Sequence, residues 1–181
     1  MGVIKHKIIV VGAPAVGKTS LVKKYTKGEF EKEYISTLGA QFSRFEEIIE
    51  NDTVELIIWD IAGQETYETM RKKFYNGSSG CIVVFSHAPD ERKSVFEIDK
   101  WVNEVRSNKG EIPMILFGNK IDLIDVKELE ENDIIENSDH KVDQIVNLHG
   151  FMGYYKTSAL TGERVTEAFH SLIHKLYYSS K

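Results

Sequence analysis

Eight consecutive residues constrain this chain more than any others. Gly12-Ala13-Pro14-Ala15-Val16-Gly17-Lys18-Thr19 has the pattern Gly-x-x-x-x-Gly-Lys-Thr. An apolar run at 7–11 precedes it and a stretch with helical spacing at 18–27 follows. Strand, glycine loop, then helix is the context in which such a loop binds phosphate. Its backbone N–H groups and those of the helix start point inward at phosphate oxygens. Gly12 and Gly17 let the chain turn where a side chain would block it. Lys18 then reaches the β- and γ-phosphates, and the Thr19 hydroxyl ligates Mg²⁺. Ala15, Val16, Gly17, Lys18, Thr19 and Ser20 are the expected binding residues of the loop. Alone, the motif specifies a nucleoside triphosphate and does not choose its base.

The rest of the chain alternates in the same way. Strands are expected at 7–11, 42–50, 53–60, 81–86, 114–118 and 154–157, with Asn51-Asp52 turning a hairpin between the second and third. Helices are expected at 18–27, 94–107, 140–149 and 163–178, with Thr161 as the cap of the last. The runs at 81–86 and 114–118 are continuously apolar, the mark of strands covered on both faces. This order predicts an α/β fold with a mostly parallel sheet, helices on both faces and one antiparallel strand. Ligands in such sheets bind beyond the carboxyl ends of the strands, where every motif here falls. The 181 residues suit one domain spanning 1–181.

A net charge of −5 argues against a nucleic-acid partner, which needs basic surface. The one cysteine, Cys81, lies in an apolar run and is expected to be a buried core residue. No stretch approaches the roughly 20 apolar residues of a transmembrane helix. The final residues Tyr177-Tyr178-Ser179-Ser180-Lys181 contain no prenylatable cysteine. A lone thiol suits a reducing interior, so a cytoplasmic location is expected, peripheral on a membrane if a lipidated tail follows.

Gly118-Asn119-Lys120-Ile121-Asp122 follows a strand and chooses the base. The Asp122 carboxylate can accept from guanine N1–H and from its exocyclic amine. Adenine offers neither pair, and would leave the carboxylate desolvated and unpaired. Asn119 is placed to address N7 and brace the loop, and the Lys120 stem to cover one face of the base. After the last strand, Thr157-Ser158-Ala159-Leu160 is expected to turn the Ala159 N–H toward guanine O6. Phe30 is a candidate edge-on contact to the base, with ordinary packing as the alternative.

Asp60-Ile61-Ala62-Gly63-Gln64-Glu65 ends another strand. Asp60 can hold Mg²⁺ through water, Gly63 can put its N–H on the γ-phosphate, and Gln64 can orient an attacking water. Thr37 is the candidate second hydroxyl ligand to Mg²⁺. Both segments are held by the γ-phosphate and relax when it leaves. Gln64, Lys18 and Thr37 are the expected catalytic residues.

Together these motifs, in this order, resemble the Ras superfamily of small GTPases, and within it the Rab-like members. Tyr34-Ile35-Ser36-Thr37-Leu38-Gly39 and Trp59-Asp60-Ile61-Ala62-Gly63-Gln64-Glu65 are similar to Rab-type switch I and switch II, and Tyr75-Asn76-Gly77 and Cys81-Ile82-Val83-Val84-Phe85 fit the same pattern. The resemblance covers the whole chain. It implies a three-layer P-loop G domain with six strands and about five helices, cycling between GTP and GDP with Mg²⁺. It adds Tyr34, Ser158 and Leu160 to the nucleotide-binding set. It further implies slow GTP hydrolysis, exchange factors, GTPase-activating proteins, effectors bound through the switches, and a role in membrane trafficking. A monomer is expected. Pro14-Ala15 departs from the family's small flexible residues beside the γ-phosphate, and a proline ring there obstructs an incoming arginine finger. The stretch 119–158 is also longer than usual, with a polar, acid-rich segment at 125–139 expected to be a solvated loop with a short helical piece, a partner-binding insert being the alternative.

Two weaker features complete the reading. His170 and His174 stand at i and i+4 on one helix, a spacing that can bind zinc. No third ligand is evident from sequence, and a surface pair is the expectation. Met70-Arg71-Lys72-Lys73 reads as a short basic patch, either an effector contact or a solvated helix face. Pro14 motivates an alternative to the hydrolysing switch, a nucleotide-locked binding module. A third reading, an ATP-dependent kinase, is opposed by Asn119-Lys120-Ile121-Asp122.

Overall fold

Alternate residues of the central strands face opposite sides of the sheet, and both sides are buried. Ile8, Val10, Ile82, Val84, Ile115 and Phe117 join one core, while Ile9, Val11, Cys81, Val83, Phe85 and Leu116 join another. The computed structural model describes residues 2–27, 31–35 and 40–181. The elements in order are β1 (Val3–Gly12), α1 (Lys18–Tyr25), β2 (Glu31–Ile35), β3 (Ala40–Ile49), β4 (Asp52–Ile61), α2 (Glu68–Arg71), β5 (Gly80–Ser86), α3 (Ile98–Lys109), β6 (Met114–Asn119), α4 (Val126–Glu131), α5 (Asp139–His149), β7 (Tyr154–Lys156) and α6 (Val165–Ser179).

The sheet runs β2-β3-β4-β1-β5-β6-β7. β1 pairs in parallel with β4 and β5, and β6 with β5 and β7. β3 pairs antiparallel with both β2 and β4, so it alone opposes the rest. The six expected strands are all present, and β2 extends the edge beside β3. α1 and α6 cover one face through Leu21, Val22, Phe169, Leu172 and Ile173; α3 and α5 cover the other through Trp101, Val102, Val105 and Val142. This is the three-layer α/β architecture, with helices on both faces of a mostly parallel sheet.

Several local expectations need correcting. The hairpin turns at Glu50-Asn51, one residue early, with Glu50 in the left-handed region at φ 56°. Residues 89–97 form a tight 3₁₀ stretch, so α3 starts at Ile98. α6 is entered through Arg164, at φ 52°, and Thr161 instead accepts from the Glu163 N–H in a turn. Arg71 does not belong to a solvated basic face: it is fully buried. The acid-rich segment carries the expected short helix, α4, but it also buries Leu129, Ile135, Asn137 and Ser138. It is therefore packed onto the body of the protein, and only partly solvated.

Candidate functional site

The carboxyl ends of β1, β4, β6 and β7 deliver the phosphate loop, Asp60, Asn119 and Thr157-Ser158 to one edge of the sheet. A cleft of about 450 Å³ opens there, lined by Pro14, Ala15, Lys18, Thr19, Asp60, Gly63 and Gln64 among others. Two glycines make the close approaches. A Cβ on Gly12 would strike the Val84 carbonyl. One on Gly63 would strike the Gly12 carbonyl and lie 2.7 Å from the carbonyl carbon of Ala13. The segment after β4 thus rests directly on the phosphate loop.

Lys18 is 7% exposed and donates to the carbonyls of Gly12 at 2.9 Å and Ala13 at 2.7 Å. It pairs with no carboxylate among the described residues. Burial pulls its pKa down to about 8, against the opposing pull of Asp60 and Glu97. A buried cation that hydrogen-bonds only to carbonyls, with Asp60 and Glu97 acting on it without a direct bond, is a site for an anion. The Thr19 hydroxyl donates to Asp60 Oδ2, and burial raises the Asp60 carboxyl above its usual range, partly offset by that bond and by Lys18. A hydroxyl and a carboxylate side by side at a phosphate loop are hard oxygen donors, a set that fits Mg²⁺. Ala15 holds φ 65°, a left-handed conformation unusual for alanine.

The base-reading loop is tied to the phosphate loop through Asn119. This side chain, 1% exposed, donates from Nδ2 to the Val16 carbonyl at 2.9 Å. Its Oδ1 accepts from the Ala159 N–H at 3.1 Å. The amide expected to face the base therefore braces Asn119 in this structure. A Cβ on Gly17 would strike Asn119 Nδ2. Lys120 sits at φ 66° and its ammonium is held 2.8 Å from both Glu91 oxygens. Asp122 is exposed and accepts from Ser158 Oγ. Leu160 is largely exposed, and its carbonyl accepts from Lys24 Nζ at 3.1 Å. Ser20 and Gln64 are exposed at the cleft. Phe30 and Thr37 lie outside the described residues. Tyr34 is described only as a backbone position in β2, and its side chain lies outside them.

Two supporting groups were not legible in the sequence. The Arg71 guanidinium grips Glu104 through Nε–Oε1 at 2.7 Å and Nη2–Oε2 at 2.8 Å, lies 4.7 Å from the Trp101 ring, and donates from Nη1 to the Gln64 carbonyl at 2.8 Å. Tyr75 Oη adds a bond to Glu104 Oε1 at 2.7 Å. Burial alone would raise Glu104; the guanidinium and the phenol hold it below the usual carboxylate range instead. His87, fully buried after β5, bridges Asn137 Nδ2 at 2.9 Å and Tyr154 Oη at 2.7 Å. Its backbone N–H donates to the Asn119 carbonyl at 2.8 Å, so it links the packed acid-rich segment to the base loop.

The sequence matches the Ras family over residues 7–178. It is 36% identical over 174 residues to the Ras-related protein Rab-11B of Dictyostelium discoideum, covering 96% of this chain and 74% of that protein. It is 37% identical over 175 residues to the Ras-related protein Rab-7b of Mus musculus, covering 92% and 79%. It is 33% identical over 175 residues to the Ypt/Rab-type GTPase ypt7 of Schizosaccharomyces pombe, covering 93% and 81%. The chain belongs to the Ras family, on its Rab-like side. It is a GTP-binding switch and a GTPase.

Proposed function

We propose that the cleft at 12–19 holds the phosphates of GTP or GDP, that Asp122 selects guanine, and that Gln64 directs hydrolysis. The observation that carries this reading is Lys18, a buried cation whose partners are two carbonyls of the loop it would share with a phosphate. On phosphate arrival the ammonium exchanges those carbonyls for β- and γ-oxygens, and the amides of 15–20 close the cradle. Thr19 and Asp60 would hold Mg²⁺, with Thr37 as the second hydroxyl. Bound there, the ion neutralises charge on the β- and γ-oxygens. Gly63, seated on the loop, presents its N–H to the γ-phosphate. Gln64 orients the water that attacks phosphorus, GDP leaves with the bridging oxygen, and inorganic phosphate carries away the added hydroxyl. Arg71 fixes the Gln64 backbone during this step.

Selection rests on Asp122, aimed by Ser158, with Asn119 bracing the loop. Lys120, Phe30, Tyr34 and Leu160 enclose the base and ribose, and Ala159 turns its N–H from Asn119 to guanine O6. We further propose that the chain forms one monomeric G domain acting in Rab-type membrane trafficking. Exchange factors, activating proteins and effectors would meet the switches. The partly exposed row Phe42–Trp59–Phe74, with centroids 5.1 and 4.8 Å apart, supplies an apolar face for them. No described helix is long and apolar enough to cross a membrane.

Nucleotide-stripped protein should take up GDP and leave ADP. Equal uptake of both, or of neither, would overturn the assignment. Single-turnover phosphate release from bound GTP, with Gln64→Leu as the slow control, separates the hydrolysing switch from a nucleotide-locked module. Pro14 and Gln64 both line the cleft, and a rate no faster than Gln64→Leu over many hours would overturn the hydrolytic role given to Gln64.

A further inference from the structure

The fold supplies the third ligand that the His170–His174 pair lacks in sequence. Both histidines lie on α6, four residues apart and so on one face. β3 runs alongside and places Glu47 Oε1 2.7 Å from His170 Nε2. One ligand atom from each of Glu47, His170 and His174 lies within 4.8 Å of the others. The imidazole rings are nearly parallel, at 9°, with centroids 5.5 Å apart. Glu47 is itself oriented: Tyr25 Oη donates to its other oxygen, Oε2, at 2.7 Å, leaving Oε1 toward the histidines. Among the described residues, no lysine or arginine pairs with Glu47.

We propose that Glu47, His170 and His174 form a zinc site, completed by water, that clips α6 to β3. Two imidazoles and one carboxylate, with a solvent-facing fourth position, are a ligand set that zinc takes readily. Bonds of about 2.0–2.1 Å hold tetrahedral zinc ligands roughly 3.3 Å apart. His174 is exposed, so solvent and not packed core surrounds its ring where the cluster must tighten from 4.8 Å. The Tyr25–Glu47 bond is the outer support that zinc-bound carboxylates commonly have. The site lies far from the nucleotide. Glu47 is in register with Val54, and Val54 with Ile4, whereas the phosphate loop starts at the other end of β1. From Ile4 to Gly12 the strand spans about 26 Å. Zinc here touches none of the groups assigned to GTP.

The test uses the full chain loaded with GDP and excess Mg²⁺, titrated with Zn²⁺ against a chromophoric chelator. One zinc per chain is expected. His174→Ala and Glu47→Gln should each weaken it by more than ~100-fold, and Tyr25→Phe by about 10-fold. His149→Ala should leave it unchanged. Zinc at 100 times its Kd should raise the wild-type Tm by about 5–10 °C, and that of His174→Ala not at all. Co²⁺ should give the intense visible bands of a tetrahedral site in the wild type only. The proposal fails if His174→Ala, folded by its metal-free Tm, binds zinc as the wild type does. It also fails if the bound zinc is displaced by raising Mg²⁺, which would place it at the nucleotide.

Discussion

Arg71 offers the sharpest way to separate what holds this protein together from what makes it work. Its side chain is 0% exposed and that of its partner Glu104 is 8% exposed. Replacing Arg71 with methionine keeps the length and removes the charge. Glu104 then keeps only the Tyr75 hydroxyl, and a buried carboxylate stripped of its cation costs about 3–5 kcal/mol. For a chain of this size that is a fall in Tm of about 6–20 °C. The loss should shrink as pH falls, because the pair now holds Glu104 below its usual pKa and the orphaned carboxyl escapes by taking a proton. Arg71→Met/Glu104→Leu removes both charges and should recover all but about 1–2 kcal/mol of that loss, well below the sum of the two single losses, since Glu104→Leu alone strands the buried guanidinium. The double variant still lacks the donor to the Gln64 carbonyl. Its stability should return while single-turnover GTP hydrolysis stays slow. Denaturant unfolding of the GDP-bound proteins and phosphate release from bound GTP read the two effects apart. Additive losses would show that Arg71 and Glu104 are not an isolated pair. Wild-type hydrolysis by the double variant would show that Arg71 does not position Gln64.

Other consequences are equally direct. Burial, aided by Lys156 and Arg92, pulls the His87 pKa from 6.5 down to about 3. Between those values the unfolded chain holds a proton that the folded chain refuses, so stability falls as pH falls. From pH 6.5 to 4.5 the wild type should lose about 2 kcal/mol more than His87→Gln in denaturant unfolding, and parallel pH profiles would refute this. Ala15→Gly removes a left-handed alanine that costs about 1–2 kcal/mol, against about 0.5–1 kcal/mol of added chain entropy, so thermal unfolding should show no loss and a gain of up to about 1 kcal/mol. A drop in Tm would show that the left-handed backbone at Ala15 carries no such strain. Asp122→Asn sets an amide N–H against the N–H groups of guanine, and should weaken GDP by about 100-fold or more while improving xanthosine diphosphate, whose C2 carbonyl accepts that bond. Unchanged GDP affinity by competition titration would remove Asp122 from the base site.

What the sequence made legible divides along a physical line. The phosphate loop, Asp60 and the base loop were readable because each is a short run whose chemistry depends on neighbours in the chain. The central strands were readable because burial on both faces leaves a continuous apolar run, as at Cys81–Phe85. The exit into α6 was missed because Arg164 begins the helix from a left-handed backbone, where no side-chain cap signals the start. The packing of the acid-rich segment was missed because it depends on Asn137 meeting His87, fifty positions away. Glu47 was missed as a partner of His170 for the same reason: pairing across the fold leaves no trace in local spacing.

Arg71 and Lys18 show how far this goes. Both are buried cations, and sequence alone places Arg71 in a basic patch and Lys18 in a motif. Only the fold shows that one is satisfied and the other is not. Arg71 has a bidentate carboxylate, a carbonyl and an aromatic ring, so its charge is accounted for within the protein. Lys18 has two carbonyl dipoles and a lowered pKa. A buried charge without a bonded opposite charge costs several kcal/mol, a cost that a phosphate ligand at Lys18 would offset. The two residues then predict opposite responses to nucleotide. Saturating GDP should protect the wild type against denaturant by RT ln(1 + [GDP]/Kd), and Lys18→Met should lose that protection without losing stability in the nucleotide-free protein. Arg71→Met should be destabilised by the same amount with or without GDP. If Lys18→Met instead unfolds the nucleotide-free protein as Arg71→Met does, Lys18 is a structural cation and the anion site lies elsewhere.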